Sequence, residues 1–258
     1  MFTRAEAYER FMGRWSQMLA HRFVGFADPG EASKVLDVGS GTGSLARAIV
    51  GSSPRIEVVG IDPSPAYVEY ARAHVPQRAR FEVGDAQELP FDDGTFDACY
   101  ALLVLNFIPD QRAALAQMCR VARRGGTIAA AVWDHAQGMN MLRIFWEAAD
   151  AVDTDKHVVD EPNPLLDREG LRALWEASDL DDIQTAPLDF DMRFSSFGDY
   201  WEPFGLSQGP AGAYLRGVCT RVRDEIEREL RSKLLAGKPD GPFTLSARAW
   251  AIRGRKHV

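Results

Sequence analysis

Between Val35 and Gly43 the chain reads VLDVGSGTG, an apolar run carrying one acid, Asp37, followed by glycines at alternate positions, Gly39, Gly41 and Gly43. Glycine is required where the backbone must take positive φ, or where a ligand comes too close for a Cβ. The residues that follow, SLARAIV, have helical character. The segment therefore reads as strand, tight turn and helix, and a helix start offers unpaired N–H groups to a polar or anionic ligand. Carboxylates recur at the equivalent place in the next units, Asp62 after EVVGI and Asp85 after RFEVG. The glycine spacing is not the dinucleotide fingerprint G-x-G-x-x-G. The position three after Gly41 is Ser44, so the third glycine comes one residue early.

Positioning these residues requires a particular architecture. Short apolar runs at 34–38, 57–61, 80–84, 96–105 and 127–133 alternate with helical patterns, one of them opened by Ser64 and Pro65 as N-cap and first helical residue, another by Asp110. Gly125-Gly126 is expected to end the second of these helices. Such βα units predict an α/β fold with a doubly wound, Rossmann-like, mainly parallel sheet. Its helices lie on both faces and ligands bind at the carboxyl ends of the strands. Two further strands at 183–194 and 243–253 bring the expected sheet to seven, with a helical cap added. The chain divides into an N-terminal helical lid over 1–30, a cofactor-binding core over 31–135, and a remainder over 136–258 whose insertions at about 136–166 and 195–238 form the cap. In the leader, Tyr8, Phe11, Met12, Trp15, Leu19 and Phe23 recur at helical spacing, and Gly13 could split the segment into two short helices. Helices are expected at 139–152, after Asp167, and as one long element over 213–236 with Arg221–Glu225 and Asp224–Arg228 pairs. A loop containing EPNP lies between the first two.

Composition narrows the function classes. With 258 residues, 46% of them apolar, the chain can bury a sizeable core without staples. A net charge of −7 argues against a general nucleic-acid or anionic-membrane surface. Cys99, Cys119 and Cys219 have neither paired nor metal-like spacing, which fits buried thiols in a reducing compartment, and no metal site is expected. No run reaches the length of a membrane span and no signal-peptide core is present, so a cytoplasmic protein is expected.

The run D-x-G-x-G-x-G, together with GDAQELPF at 84–91 and the helix–RRGG–strand pattern before residue 127, resembles the class I S-adenosylmethionine-dependent methyltransferases. The nearest type is the small-molecule group that includes the ubiquinone/menaquinone C-methyltransferases. The resemblance covers about residues 34–133, and it implies S-adenosylmethionine as cofactor and S-adenosylhomocysteine as product. It implies a cofactor site built from Asp37, Gly39, Gly41 and Gly43, with Asp62 and Pro63 at the ribose, Asp85 and Ala86 at the adenine, and Ala101 and Leu102 offering carbonyls to the cofactor's amino group. Leu89, Pro90 and Phe91 would line the adenine slot. Arg14 in the leader is the candidate for the cofactor's carboxylate, because a guanidinium matches that geometry.

Methyl transfer needs few side chains, since the acceptor must be aligned in line with the S–CH₃ bond and kept from water. His135 and Tyr8 are candidate bases where the acceptor must lose a proton, and Asn106 a candidate for orienting it. The expected partner is a small-molecule methyl acceptor. The aromatic residues outside the core fit a hydrophobic one and fit ordinary packing equally well. Monomer and homodimer are both compatible with the sequence. Two rival readings share the fold, a nicotinamide-dependent oxidoreductase and a non-catalytic S-adenosylmethionine-binding regulatory protein. Nucleic-acid methylation is disfavoured by the acidic charge and by Ala101-Leu102-Leu103-Val104 where base amino methyltransferases carry N-P-P-Y or D-P-P-Y.

Overall fold

Seven strands form one sheet in the order β3-β2-β1-β4-β5-β7-β6 in the computed structural model, which describes residues 5–153, 167–206 and 209–257. They are β1 (Lys34–Val38), β2 (Glu57–Asp62), β3 (Ala79–Val83), β4 (Phe96–Leu102), β5 (Ala122–Trp133), β6 (Leu180–Phe194) and β7 (Phe243–Lys256). β1 to β5 are parallel, and β7 runs antiparallel between β5 and β6. Strand order reverses between β1 and β4. A doubly wound sheet opens a crevice at that point, beyond the carboxyl ends of its strands.

The parallel strands are apolar on both faces because both faces are covered. Side chains alternate between two cores. Val35, Val58, Tyr100, Ala129 and Trp133 join one, with α3 (Ser44–Ser52), α4 (Pro65–His74) and the leader. Leu36, Val59, Cys99, Ile128 and Val132 join the other, with α5 (Gln111–Val121) and α7 (Arg168–Glu176). The helix starts read from the sequence have their caps in place. Ser64 Oγ accepts from Tyr67 N–H at 3.4 Å, Asp110 from Ala113 at 2.9 Å and Asp167 from Gly170 at 2.7 Å.

Three expectations need correction. Gly125-Gly126 does not end α5, which stops at Val121; the chain enters β5 at once, and the glycines serve a bulge opposite Phe96–Ala98. A Cβ on Gly126 would lie 2.8 Å from the carbonyl oxygens of both Arg123 and Asp97. The single helix over 213–236 is two, α9 (Gly209–Gly217) and α10 (Thr220–Leu235), with Cys219 extended between them. Arg221 pairs with Glu225 as expected, but Arg228 also turns to Glu225, at 3.9 Å, rather than to Asp224. Gly13 does not break the leader. α1 (Ala5–Tyr8) passes through a π-helical turn, Glu9–Gly13, straight into α2 (Arg14–Ala27), and Gly13 holds helical angles. The EPNP loop falls outside the described residues.

The cap comprises α6 (Asn140–Val152), α8 (Phe197–Trp201), a 3₁₀ turn (Glu202–Leu206), α9 and α10. It joins the leader through aromatic packing. Phe204 stacks on Phe145 at 4.7 Å and meets Phe11 edge-on at 5.2 Å, while Trp15 lies 5.2 Å from Phe194. Phe145, Phe197, Tyr200 and Phe204 are fully buried, so these aromatics fill the cap's interior rather than line an open pocket. No helix among the described residues is long and apolar enough to cross a membrane.

Candidate active site

The turn after β1 is fastened to β2 by its backbone. Gly39 N–H and Ser40 N–H both donate to Ile61 O, at 2.8 and 3.0 Å. Gly39 has φ +68°, and a Cβ there would overlap the Val104 side chain, so only glycine lets the loop after β4 lie against the turn. Gly43, with φ +88°, starts α3 in the same left-handed region.

Asp37 is buried between β1 and α3, and its Oδ2 accepts Ala46 N–H at 3.0 Å. Among the described residues its Oδ1 has no partner, and Ser40 Oγ in the turn has none either. Burial pushes the Asp37 carboxyl up to about 7; the Ala46 bond opposes this and the charge of Asp62 adds to it.

Asp62 closes β2 with one oxygen on Gly41 N–H and the other on Ser64 N–H, both at 2.9 Å. The residue thus caps its own turn, yet each carboxylate oxygen keeps a second lone pair. Burial raises its pKa against the pull of those two bonds. Pro63 beside it is exposed. Asp85 is exposed beyond β3 and engaged in an Asx turn, its Oδ1 accepting Gln87 N–H at 2.8 Å, while Ala86 is buried. Of the residues expected beside the adenine, Leu89 is buried, Phe91 packs half-buried against the same core, and Pro90 between them is exposed.

β4 ends in Ala101 and Leu102, paired with Ala130 and Ala131 of β5. Leu103 follows at φ +62°, a costly conformation for leucine, held by its N–H on Ala131 O at 2.8 Å. It turns the chain into the short 3₁₀ segment Leu105–Phe107, which buries Asn106. Past β5, Asp134 is buried and takes Gln137 N–H on Oδ1 at 3.0 Å. The His135 ring reaches the surface, but the surrounding chain desolvates it enough to lower its pKa against the opposing effect of Asp134.

From the leader, Tyr8 comes down beside α4, its ring centroid 5.9 Å from that of Tyr67 and its hydroxyl 3.0 Å from Ser16 Oγ. Burial, then the charges of Glu9 and Asp62, raise its phenol pKa, with the Ser16 bond opposing; Tyr8 keeps its proton at neutral pH. Arg14 lies elsewhere. Its guanidinium pairs through Nη1 with Asp199 of α8 at 2.9 Å and stacks on Trp15. The arrangement gathers Asp37, the glycine turn, Asp62, Tyr8 and the ends of β4 and β5 at one edge of the sheet and engages Arg14 in the cap. Ser40, Tyr67, Leu103 and Asp134 were not singled out by the sequence. Only Asp134 carried a signal, an acid directly after an apolar strand.

Residues 36–130 match the family model of the methyltransferase domain. The ubiquinone/menaquinone biosynthesis C-methyltransferase UbiE of Geobacter sp. (strain M21) is 38% identical over 103 residues, 38% of this chain and 44% of that one. The O-methyltransferase cnsE of Penicillium expansum is 38% identical over 114 residues, 42% of this chain and 41% of its own length. The chain thus spans under half the length of these curated relatives. The phosphoethanolamine N-methyltransferase 2 of Haemonchus contortus, solved with phosphomonomethylethanolamine and S-adenosylhomocysteine, superposes with a TM-score of 0.60. It covers 98% of this chain and 57% of that one at 18% identity, a likeness of fold. The dinucleotide alternative gains no support from these matches. Over residues 36–130 the chain is similar to the methyltransferase domain.

Proposed function

We propose that the protein transfers the methyl group of S-adenosylmethionine to a small-molecule acceptor by in-line displacement. One observation carries the reading furthest: the buried carboxylate of Asp62 at the carboxyl end of β2, fixed by Gly41 and Ser64 N–H with two lone pairs to spare. That is an acceptor pair suited to a ribose diol. Asp37 Oδ1 and Ser40 Oγ at the adjoining turn, without partners among the described residues, fit the same ligand, whose amino group and hydroxyls would give them partners. When bound, the cofactor supplies an electrophilic methyl on a sulfonium.

The chain's own residues then do three things. The glycine turn, Asp62 and the Asp85–Ala86 loop hold the adenosine, with Ala101 and Leu102 presenting backbone carbonyls. The leader and cap over the sheet edge exclude water, the leader acting as lid. His135, whose lowered pKa keeps the imidazole neutral near pH 7, is the group suited to take a proton from the acceptor, whereas Tyr8, with its raised pKa, is suited to donate a hydrogen bond. Asn106 is placed in this reading to orient the acceptor. The relatives named above act on carbon, oxygen and nitrogen, so the acceptor atom is left open. The three cysteines are free thiols, which suits a reducing compartment such as the cytoplasm.

Calorimetric titration with S-adenosylmethionine, S-adenosylhomocysteine and NAD tests the reading. The two sulfur ligands are expected to bind and NAD is not. Asp62→Ala should weaken the sulfur ligands by about 1.5–3 kcal/mol, the range for charge-assisted hydrogen bonds, with the fold intact. Binding of NAD alone would overturn the assignment, and unchanged affinity in the variant would overturn the placement of the ribose. Turnover with an acceptor panel separates an enzyme from a regulatory protein that only binds.

A further inference from the structure

Beyond the end of β5, strands β6 and β7 continue as a two-stranded ribbon. The last β5–β7 pair is Trp133 with Ala249, while β6 and β7 stay paired out to Phe194 and Phe243. On one face of the ribbon Phe190, Met192 and Phe194 are buried with the leader and cap. The period of two turns Asp189, Asp191 and Arg193 to the other face, where all three are exposed. These residues line a cavity of about 740 Å³, within the size range of small-molecule sites. Met18 and Arg22 of α2 line it too, as do Gln137 and Gly138 in the loop that leaves β5.

The charges in the cavity are unevenly engaged. Arg248 of β7 holds Asp189, its Nε and Nη2 donating to the two carboxylate oxygens at 2.7 and 3.4 Å. Arg22 is held by backbone, with Nε donating to Asp189 O at 3.2 Å and Nη1 to Met18 O at 3.3 Å. Asp191 and Arg193 form no hydrogen bond or ion pair among the described residues. They share one face of β6, two residues and hence about 7 Å apart along the strand, and they do not close on each other. A carboxylate and a guanidinium left open side by side in one cavity complement a molecule that carries the reverse pair of charges.

We propose that this cavity is a binding site for a small zwitterion, whose ammonium pairs with Asp191 and whose carboxylate pairs with Arg193. The ligand's two charges then lie about one two-residue strand step apart, as in a short ω-amino acid. The site is distinct from the crevice at Asp62, because β1, β4 and β5 lie between β2 and the ribbon in the sheet. It does not rest on the assignment of the methyl donor.

Chemical-shift titration of the full-length protein with δ-aminovalerate, valerate and pentylamine, matched in carbon number and differing in charge, tests the proposal. The zwitterion should bind more tightly than either single ion. Arg193→Gln should weaken δ-aminovalerate and valerate by about fivefold, the upper range for an exposed ion pair, and spare pentylamine. Asp191→Asn should weaken δ-aminovalerate and pentylamine and spare valerate. Both substitutions lie on an exposed face, and both variants should keep the wild-type affinity for S-adenosylhomocysteine. Absence of binding by all three small probes would overturn the proposal, as would valerate binding as tightly as δ-aminovalerate. Equal weakening of all three probes in either variant would overturn the pairing of charges, and a loss of S-adenosylhomocysteine affinity in both variants would overturn the separation of the two sites.

Discussion

Asp37 is an acid with no ion-pair partner among the described residues, fully enclosed and holding one backbone N–H. Its carboxyl titrates near 7 in the fold, against 3.8 for the free group. The native state therefore binds a proton that the unfolded chain has already released, and stability falls as pH rises from about 4 to about 7, by up to about 1.4 kcal/mol per unit, then levels. Asp37→Asn keeps an acceptor for Ala46 N–H and cannot ionise. Urea unfolding of the ligand-free proteins at pH 5 and pH 8 should show a smaller loss between the two values for the variant than for the wild type; equal losses would assign the slope to another group. At this scale the sequence was informative where chemistry depends on residue type and strand position. Asp37, Asp62 and the glycines stand at strand ends because a βα turn places them there. It was uninformative about Arg14, whose partner Asp199 lies far along the chain.

Elements were legible to the extent that local pattern decides them. The parallel strands alternate between two cores, and period and turn residues located them. The glycine pair after α5 was misread because a bulge and a helix end both favour glycine, and only the partner strand distinguishes them. The π-helical turn left no trace in the leader's apolar stripe, since Tyr8, Phe11 and Trp15 still face inward. That turn is followed at once by Arg14, which ties the leader to α8. Burial alone would raise the Asp199 pKa, but its bonds to Arg14 and Ser195 outweigh this and lower it. The pair is partly exposed, so a double-mutant cycle of Arg14→Ala and Asp199→Ala should give a coupling of about 0.5–1 kcal/mol. Because the same pair joins leader to cap, the single variants should also expose the α1 backbone to faster hydrogen exchange. A coupling near zero with unchanged exchange would show that the aromatic contacts of Phe11 and Trp15 suffice.

For the molecule as a whole, a ligand that binds only the folded state adds stability by mass action. S-adenosylhomocysteine at one hundred times its dissociation constant should contribute about 2.7 kcal/mol, which for a chain of this size raises the melting temperature by about 5–10 °C. NAD at the same concentration should leave it unchanged. Scanning calorimetry reads both, and a shift with NAD alone would contradict the cofactor assignment. The sheet and its two cores could be read from the sequence because they are built from repeated βα units. The cap's segments were read as insertions, but their packing could not be, because it joins residues distant in the chain, Phe11 with Phe204 and Phe145 with Tyr214.

The cap segment between β6 and β7 leaves and re-enters the sheet at neighbouring points. Phe194 and Phe243 are paired across the two strands and stack at 5.2 Å. The described residues between them are therefore a cassette hung on a closed hairpin. The match to the methyltransferase-domain family model ends at residue 130, well before that hairpin. The sheet thus forms a fixed platform to which a separately variable appendage is fastened at a single hairpin.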